Sequence, residues 1–480
     1  MTAATTLNQV KHVYSTGRTR SVAWRLSQLA GLQQLLEDHT DYIEAALYQD
    51  LGKNGFEAWV SEIGQVMAEI KWLRKHTASW AKPQRVRTPL ALWPAKSMIE
   101  HEPRGTVLVI SPWNYPVMLG LSPLAGAVAA GNAVVLKPSE IGTAVESVLA
   151  ELIPQYMDPH AIRVVTGGPD VVHEMIEAKP DYVFFTGSSK VGSIIATACA
   201  ERLIEYTLEL GGQSPAYVHD DADIDTAAAR LVWGKFLNAG QTCVAPNHIY
   251  VHEDIADRLT GAIVDEIQSQ YGADPAISRD YPRMITVEHA TTVADQLNAS
   301  AGTITHGGTV NTAQHYIAPT VVTDVADDDA LMSSEIFGPI LPIIPVTGAQ
   351  DAVDRISRLE DPLAFYLFTE SRSVKDYVLP RVVAGGVGIN VPLMQLATPH
   401  MPFGGVGTSG HGSYHGVWSL RTFSQERAVL DKATTPDTLR LVMHPAPAWA
   451  NWAVRKLLTA GKNPAKDART AQHYRSTPPS

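Results

Sequence analysis

The stretch Thr-Val-Leu-Val-Ile-Ser-Pro-Trp-Asn-Tyr-Pro, residues 106–116, decides the fold. Its first five residues are mostly β-branched and aliphatic and predict a buried strand, which a polar turn bounded by prolines follows. Similar runs and intervening helical segments come next: strands at 133–136, 162–165 and 182–185, and helices at 117–130, 144–156, 170–178 and 190–202. Strand–helix alternation at this spacing predicts right-handed βαβ units, and therefore an α/β, Rossmann-like, doubly wound domain.

The flanking sequence predicts further elements on both sides of this domain. Segments 21–48 and 57–80 carry apolar residues at helical spacing and predict two amphipathic helices. Three prolines between 83 and 94 then predict an extended segment outside the main domain. From residue 220 a second alternation predicts a second α/β domain, with a helix at 226–237, a helix after 254, and strands at 248–251, 320–322, 340–346, 364–369 and 386–391.

Composition limits the possible functions. A chain of 480 residues predicts two or three domains, and its net charge of −11 argues against a nucleic-acid partner. Two cysteines cannot form a disulfide framework, which favours a reducing, cytoplasmic location. The longest apolar run, 117–130, is shorter than the roughly 20 residues that span a bilayer, so no transmembrane segment is expected.

The C-terminus differs in charge from the rest of the chain. Between residues 447 and 480 there are six basic residues and one acidic residue. Trp449, Trp452 and Leu457 precede most of this positive charge, as in a short interfacial helix that contacts an anionic membrane. A solvated tail with a few apolar anchors on the body is the favoured interpretation.

Polar turns follow each predicted strand of the first domain, where parallel sheets bind ligands. Lys137 and Glu140 suit ribose hydroxyls, and the glycines of Thr-Gly-Ser-Ser-Lys-Val-Gly, residues 186–192, suit a pyrophosphate at a helix N-terminus. Gly187 and Gly192 are too far apart for the Gly-x-Gly-x-x-Gly fingerprint. An ordinary helix-start loop therefore stays an equal alternative at this point.

Cys243 stands in Asn-Ala-Gly-Gln-Thr-Cys-Val-Ala-Pro, residues 238–246. The polar, flexible residues before it favour an accessible, reactive thiol, although a lone cysteine is more often a small buried hydrophobe. Glu209 interrupts an apolar strand and must be neutralised or contact a cavity; a salt bridge is an equal alternative. Glu335 is a second isolated carboxylate. His411 and His415 have metal-ligand spacing but lie among glycines, so no metal site is predicted.

Seven motifs occur in order, at Asn114 in Pro-Trp-Asn-Tyr-Pro, Lys137 in Lys-Pro-Ser-Glu, 186–192, Glu209 in Leu-Glu-Leu-Gly-Gly, Cys243 in Gly-Gln-Thr-Cys, Glu335 in Glu-Ile-Phe-Gly-Pro, and 402–407 in Pro-Phe-Gly-Gly-Val-Gly. This set, from about residue 10 to about 427, resembles the aldehyde dehydrogenase superfamily. The motif Gly-Gln-Thr-Cys-Val-Ala-Pro resembles that of the class 3 branch of this superfamily, which includes fatty, aromatic and coniferyl aldehyde dehydrogenases.

The resemblance implies a division of the chain and an assembly. Residues 1–208 would form an NAD(P)-binding domain with a flap segment near 85–102, and 209–395 a catalytic domain. Residues 396–430 would form an oligomerisation or closing segment with that small β flap, and 431–480 a basic tail. A homodimer is expected for class 3.

The resemblance also implies roles for the motif residues. Cys243 would add to the aldehyde, the Asn114 amide and the Cys243 N–H would stabilise the oxyanion, and Glu209 would activate the water that hydrolyses the thioester. Glu335 is the alternative base. NAD is the expected cofactor, with NADP open, and its implied contacts are Lys137, Glu140, Gly187, Ser188, Val191, Gly192, Leu210, Glu335 and Phe337.

The substrate pocket implied by the resemblance is Tyr115, Trp233, Leu237 and Thr242. These mostly apolar residues favour medium- or long-chain aliphatic, or aromatic, aldehydes. Class 3 relatives commonly carry a histidine near Gln395, so the resemblance does not predict the shape of the substrate tunnel or the specificity. A CoA-acylating relative is one alternative, against which both Glu209 and Glu335 argue. A catalytically silent binding protein on the same fold is another, against which the intact Cys243 argues.

Overall fold

The computed structural model of the protein describes residues 2–445 and 448–459. Two compact units are present among the described residues: the first combines 2–80 with 102–425, and the second combines 81–101 with 426–445 and 448–459. The basic residues of the tail beyond Thr459 lie outside the described residues. Among the helices that are described, none is long and apolar enough to cross a bilayer.

The first unit contains the predicted doubly wound sheet. Its six strands lie in the spatial order Gly410–His411, Glu205–Glu209, Tyr182–Thr186, Thr106–Ile110, Ala133–Lys137 and Ile162–Val164. All neighbours are parallel except Gly410–His411, which pairs antiparallel with Glu205–Glu209. Every residue of Thr106–Ile110 is buried, as its apolar composition predicts. The α/β fold expected from the sequence is confirmed.

The order of these strands creates a crevice. From Thr106–Ile110 the chain proceeds outward through two strands on one side and then returns to place Tyr182–Thr186 on the other side. Ligands bind at such a switch point, beyond the carboxyl ends of the two central strands. Residues 111–116 and 187–192 therefore face one another across the crevice.

The helices of this half agree with the pattern in the sequence to within one or two residues. They span Met118–Ala130, Thr143–Tyr156, Pro169–Glu177 and Ser189–Ala200. The single helix expected over 21–48 is wrong. The chain forms Val22–Asp38 and Thr40–Leu51, which meet at His39, because the His39 backbone (φ −123°, ψ 23°) leaves the helical region.

The helix expected over 57–80 begins at Gly55 and is not uniform. It comprises Gly55–Ala58, a π-helical turn at Trp59–Ile63, and Gly64–Trp80. Such turns insert an extra residue into an α-helix and recur at functional sites. An N-terminal helix, Ala3–Ser15, has no counterpart in the sequence expectation.

A second sheet in the same unit has seven strands in the order Thr303–His306, Thr320–Thr323, Ile340–Val346, His248–His252, Pro215–Val218, Ala364–Phe368 and Gly386–Ile389. The first of these is antiparallel to its neighbour and the others are parallel. Its helices are Ile224–Phe236, Ala256–Tyr271, Val287–Ala299, Ala349–Ile356 and Arg372–Val378. A short helix, Val417–Thr422, packs in the core of the first half.

The second unit is built on a three-stranded sheet. Ala95–Pro103 lies in the middle, between Gln84–Val86 and Ser424–Lys432, and a helix at Ala448–Thr459 follows. The last strand begins at Ser424, later than the segment expected from residue 396. Residues 403–423 belong to the first unit, because Tyr414, Leu420 and Phe423 are buried in its core.

Candidate active site

The turn that carries Cys243 has an unusual backbone. Asn238, Ala239 and Gly240, which follow the helix Ile224–Phe236 after Leu237, all lie in the left-handed region, with φ of 52°, 51° and 75°. A residue with a side chain pays about 1–2 kcal/mol for this conformation. A side chain at Gly240 would also overlap the carbonyl oxygen of Gly338. The motif therefore specifies a tight backbone turn as well as a thiol.

Buried hydrogen bonds hold this turn in place. The Asn238 side-chain amide donates to the carbonyls of Asn114 (2.8 Å) and Gln241 (3.0 Å). The Gln241 amide donates to the carbonyls of Asn238 (2.9 Å) and Arg283 (3.0 Å), and its oxygen accepts from the Ile285 N–H (2.9 Å). Because these hydrogen bonds fix the turn from several sides, the strained left-handed backbone is retained in the folded state.

Asn114 reaches the cysteine turn from the other domain half. It is buried within the polar turn that follows Thr106–Ile110. Its side-chain Nδ2 donates to the Gln241 carbonyl at 3.1 Å, two residues before the nucleophile. An amide nitrogen carries two hydrogens. One is committed to Gln241, which leaves the second for a ligand.

Cys243 lies at the junction of two cavities. One, of about 280 Å³, is lined by Trp113, Asn114, Leu119, Thr186, Gly187, Ser188, Glu209, Leu210, Glu335 and Phe337, among others. The other, of about 210 Å³, is lined by Tyr115, Met118, Trp233, Leu237, Thr242, Leu393, Phe403 and His415, among others. The expected substrate-pocket residues therefore line one cavity, and both candidate bases line the other.

The surroundings of Cys243 favour the neutral thiol over the thiolate. Burial raises its pKa well above the ordinary value, and the carboxylates of Glu335 and Glu209 raise the pKa further. A proton must therefore leave the sulfur when it attacks a substrate. The other cysteine, Cys199, is buried in the first core and lines neither cavity.

Glu209 ends the strand Glu205–Glu209 and is only 2% exposed. Neither of its carboxyl oxygens has a hydrogen-bond partner among the residues that the structure describes. Burial raises its pKa well above the ordinary value for a glutamate. The sequence left a salt bridge of Glu209 as an equal alternative. No salt bridge to Glu209 is present among the described residues. Isolated buried carboxyls of this kind mark functional sites.

Glu335 has a different environment. Burial raises its pKa to about 8, although a hydrogen bond from the Gly212 N–H and the charge of Lys235 act in the opposite direction. A side chain at Gly211 would overlap the Glu335 carboxyl. The two glycines that follow Glu209 in the sequence thus make room for the second carboxyl and bind it.

The crevice fits a dinucleotide. The Ser188 hydroxyl accepts from the Val191 N–H (3.4 Å) and caps the helix Ser189–Ala200, whose N-terminus suits a phosphate. A Cβ at Gly187 or Gly192 would lie 2.5 Å from the Phe185 ring or the Leu210 side chain. Lys137 and Glu140 form an ion pair at the end of Ala133–Lys137. Of the expected cofactor residues, Lys137, Glu140, Val191 and Gly192 lie outside the two cavities.

Two residues near the site, His289 and Lys235, have no signal in the sequence. His289 Nε2 lies 2.9 Å from the carbonyl of Phe337 and, since a carbonyl only accepts, carries the proton. Phe337 itself has a φ of 49°, and Trp113 packs edge-on against both rings. Lys235 is fully buried, and burial lowers its pKa to about 7. A lysine in an amphipathic helix ordinarily predicts a solvated position.

The two histidines with metal spacing do not act together. His411 is exposed on the edge strand Gly410–His411. His415 lines the apolar cavity, and its Nδ1 lies 3.8 Å from Glu69.

A thiol, a side-chain amide and two carboxyls around a nucleotide crevice are the groups that an oxidoreductase working through a cysteine adduct requires. The sequence model of the aldehyde dehydrogenase family matches residues 3–429. Aldehyde dehydrogenase family 3 member B1 of Rattus norvegicus is 42% identical over 439 residues, covering 92% of this chain and 93% of the relative. The dimeric NADP-preferring aldehyde dehydrogenase of the same species is 39% identical, covering 92% and 97%.

Solved structures give the same result. The substrate-bound state of Staphylococcus aureus AldH superimposes with a TM-score of 0.92 at 40% identity, covering 95% of this chain and 98% of that chain. The chain belongs to the aldehyde dehydrogenase family. The resemblance and the enzyme class predicted from the motifs are thereby confirmed.

Proposed function

We propose that the protein oxidises apolar aldehydes to carboxylic acids, with NAD or NADP as oxidant, through a thioester on Cys243. The observation that carries this proposal is the position of Cys243 between an apolar cavity and a cavity that holds two carboxyls and the mouth of the nucleotide crevice.

The first step forms a bond between the Cys243 sulfur and the aldehyde carbon, and the thiol proton passes to solvent water. The carbonyl oxygen becomes an oxyanion, which the free hydrogen of the Asn114 amide and the Cys243 backbone N–H stabilise. Loss of one such donor typically lowers turnover by about 100- to 1,000-fold. Since Gln241 already holds the Asn114 amide, the donor is oriented before the substrate arrives.

A nicotinamide held in the crevice would supply the hydride acceptor for the thiohemiacetal carbon. The chain then has to hydrolyse the thioester. Glu209 takes a proton from a water molecule, the hydroxide oxygen bonds to the acyl carbon, and the carbon–sulfur bond breaks to release the acid. Glu209 suits this role because its oxygens have no protein partner among the described residues, whereas Glu335 is bound to Gly212. Glu335 stays the second candidate for the base.

The apolar cavity favours uncharged substrates. Among the described residues that line it there is no Lys, Arg, Asp or Glu. Burial lowers the pKa of His415 to about 4, so this side chain is neutral at physiological pH. The Tyr115 and Thr242 hydroxyls bond to each other at 2.6 Å. A charged semialdehyde would therefore lack a counter-charge. Gln395 lies beside this cavity but bonds to the Tyr366 hydroxyl at 3.3 Å.

An NADH-absorbance screen tests the substrate class. Burial of one methylene contributes about 0.8 kcal/mol, so we expect kcat/KM to rise roughly fourfold per added methylene from butanal until the cavity is full. Benzaldehyde and cinnamaldehyde should also be accepted. A preference for succinic semialdehyde would overturn the apolar assignment. Formation of acyl-CoA on addition of CoA would favour the CoA-acylating alternative. Nucleotide binding without turnover of any aldehyde would favour the catalytically silent binding protein.

NAD is the proposed preferred cofactor. Glu140, paired with Lys137, would accept from a ribose 2′-hydroxyl and repel a 2′-phosphate. The Glu140→Gln variant should raise kcat/KM for NADP relative to NAD, since it removes the repulsion and leaves Lys137 unpaired. An unchanged ratio would place the adenosine ribose elsewhere.

We also propose a cytoplasmic homodimer, in keeping with the dimeric rat relative. Light scattering coupled to gel filtration measures the assembly, and a monomeric mass would contradict it.

Peripheral contact with anionic membranes would involve the helix Ala448–Thr459, on which Trp449 and Trp452 are 58% and 67% exposed. Co-flotation with phosphatidylserine vesicles that a Trp449→Ala/Trp452→Ala variant loses would support this contact, and co-flotation that the variant keeps would oppose it.

A further inference from the structure

Lys53, two residues after the helix Thr40–Leu51, is a fully buried lysine that reaches the loop carrying Asn114. Its Nζ lies 2.6 Å from a carboxylate oxygen of Glu62 and donates to the backbone carbonyl of Asn114 at 2.9 Å. The same ammonium stands 4.0 Å from the centre of the Tyr115 ring. Three groups around the ammonium thus fix the peptide between Asn114 and Tyr115.

The partner of Lys53 holds the other end of this loop. Glu62 lies in the π-helical turn Trp59–Ile63, and its second oxygen accepts from the N–H groups of Val117 (2.9 Å) and Met118 (3.1 Å). These amides begin the helix Met118–Ala130, whose own N-cap residue makes no side-chain bond. A carboxylate satisfies them and suits the positive end of the helix dipole.

The carbonyl that Lys53 holds is also the point where the cysteine turn is attached. It accepts a second hydrogen bond from the Asn238 side-chain amide at 2.8 Å, and the Asn238 backbone N–H donates to Glu57 at 2.9 Å. A rotation of the Asn114 peptide would break the bonds to both Lys53 and Asn238. The ammonium therefore restrains the oxyanion donor relative to the nucleophile.

Stability alone gives little reason for this arrangement. A buried ion pair is often no more stabilising than apolar side chains of the same volume, because both charges lose their hydration. Such a pair does impose geometry, since breaking it leaves an unpaired buried charge. In this protein the imposed geometry is that of the backbone of the proposed oxyanion donor.

We propose that Lys53, paired with Glu62, is a positioning residue that aims the Asn114 amide at the oxyanion formed on Cys243. The inference rests on the proposed role of Asn114. It predicts that Lys53 matters for the rate of thiohemiacetal oxidation only as long as the Asn114 amide is present.

A double-mutant cycle on the full-length enzyme tests this coupling. The variants are Lys53→Met, Asn114→Ala and the double variant, and the readouts are the stopped-flow NADH burst rate with the best aldehyde of the screen and the Tm. Asn114→Ala should slow the burst about 100-fold. Lys53→Met should slow it by about 10- to 100-fold when the amide is present, since a displaced catalytic group loses rate on this order. The aldehyde KM should change little.

In the Asn114→Ala background, Lys53→Met should slow the burst by less than about twofold while lowering the Tm as much as in the wild-type background. An equal fold-loss in both backgrounds would make Lys53 a purely structural residue and overturn the inference. A normal burst in Asn114→Ala alone would instead refute the oxyanion role, and the inference with it. The single variant thus distinguishes the two failures.

Two further variants keep the test decisive if Lys53→Met is insoluble or merely unstable. Lys53→Met/Glu62→Gln removes both charges and retains an amide oxygen for Val117 and Met118, so it should show the same dependence on Asn114; independence from Asn114 would overturn the inference. Leu35→Ala removes a buried side chain of the helix Val22–Asp38, away from both cavities. It should lower the Tm without slowing the burst, and a slowed burst would show that loss of stability alone explains the effect of Lys53→Met.

Discussion

Replacing Glu209 by Gln should separate oxidation from hydrolysis. The variant should release one equivalent of NADH per active site in a rapid burst and then stall, because Cys243 is acylated and no base activates water. The substitution should be tolerated by the fold. Burial already disfavours the charged form of Glu209, and the neutral Gln amide has nearly the same shape as the carboxyl.

The size of the stall follows from the surroundings of Glu209. Its two oxygens have no hydrogen-bond partner among the described residues, and the other carboxyl in the cavity, Glu335, is bound to the Gly212 N–H. Because the Glu335 carboxyl is already bound, we expect it to replace the missing base only poorly. We therefore expect steady-state turnover to fall by about 10²- to 10⁴-fold, the usual contribution of general-base catalysis. This range corresponds to about 3–5 kcal/mol of barrier.

The assay combines stopped-flow absorbance with intact-protein mass spectrometry of quenched samples. The burst amplitude counts the sites that complete oxidation, and the mass shows the acyl group on the stalled enzyme. The matched control is Glu335→Gln, which should weaken cofactor binding and leave steady-state hydrolysis within about tenfold of the wild type. A loss of the burst itself in Glu209→Gln, with hydrolysis abolished in Glu335→Gln, would assign the base to Glu335.

Two further predictions concern the support of the cysteine turn. Burial raises the pKa of Glu57 from 4.5 to about 7, so its ionisation destabilises the folded state progressively from about pH 4.5 to 7. The Glu57→Gln variant, whose amide oxygen can still accept from the Asn238 N–H, should therefore have a free energy of unfolding up to about 3 kcal/mol above that of the wild type at pH values above 7. Below pH 4.5 the two proteins should be equally stable, so the difference in Tm should grow with pH. A Tm difference that does not depend on pH would contradict this. Gly240→Ala should lose activity and about 1–3 kcal/mol of stability, because its φ is 75° and its Cβ would overlap the Gly338 carbonyl. The control Gly261→Ala lies in open space within the helix Ala256–Tyr271 and should raise the Tm slightly, so equal losses in the two variants would refute the steric argument.

The nucleotide-binding half was predictable because its strands are continuous apolar runs and its helices are regular. The strand Pro215–Val218 was missed because it is short and begins with proline, and Thr303–His306 because it is an exposed edge with polar residues. The interruption of the helix at His39 could not be predicted, because no proline or glycine lies there. Such features depend on tertiary packing, which outweighs local propensity.

The site shows a similar division. The motif residues could be named because each motif recurs across a family, and the structure gathers Cys243, Asn114, Glu209 and Glu335 around one cavity. Lys53 could not be identified from the sequence. Its contact with Asn114 spans 61 residues along the chain, and a lysine beyond a helix end normally predicts a solvated position. The charges that support a site are visible only once the fold is known.

The most direct test of the thioester mechanism is to measure turnover and nucleotide binding side by side in Cys243→Ala. Cys243 lines the nucleotide-side cavity but contributes only a small side chain to it, so the nucleotide Kd should change by less than about threefold. The mechanism predicts no NADH burst with any aldehyde in this variant. A burst of normal rate and amplitude would show that the bond to carbon forms elsewhere, and would contradict the central claim.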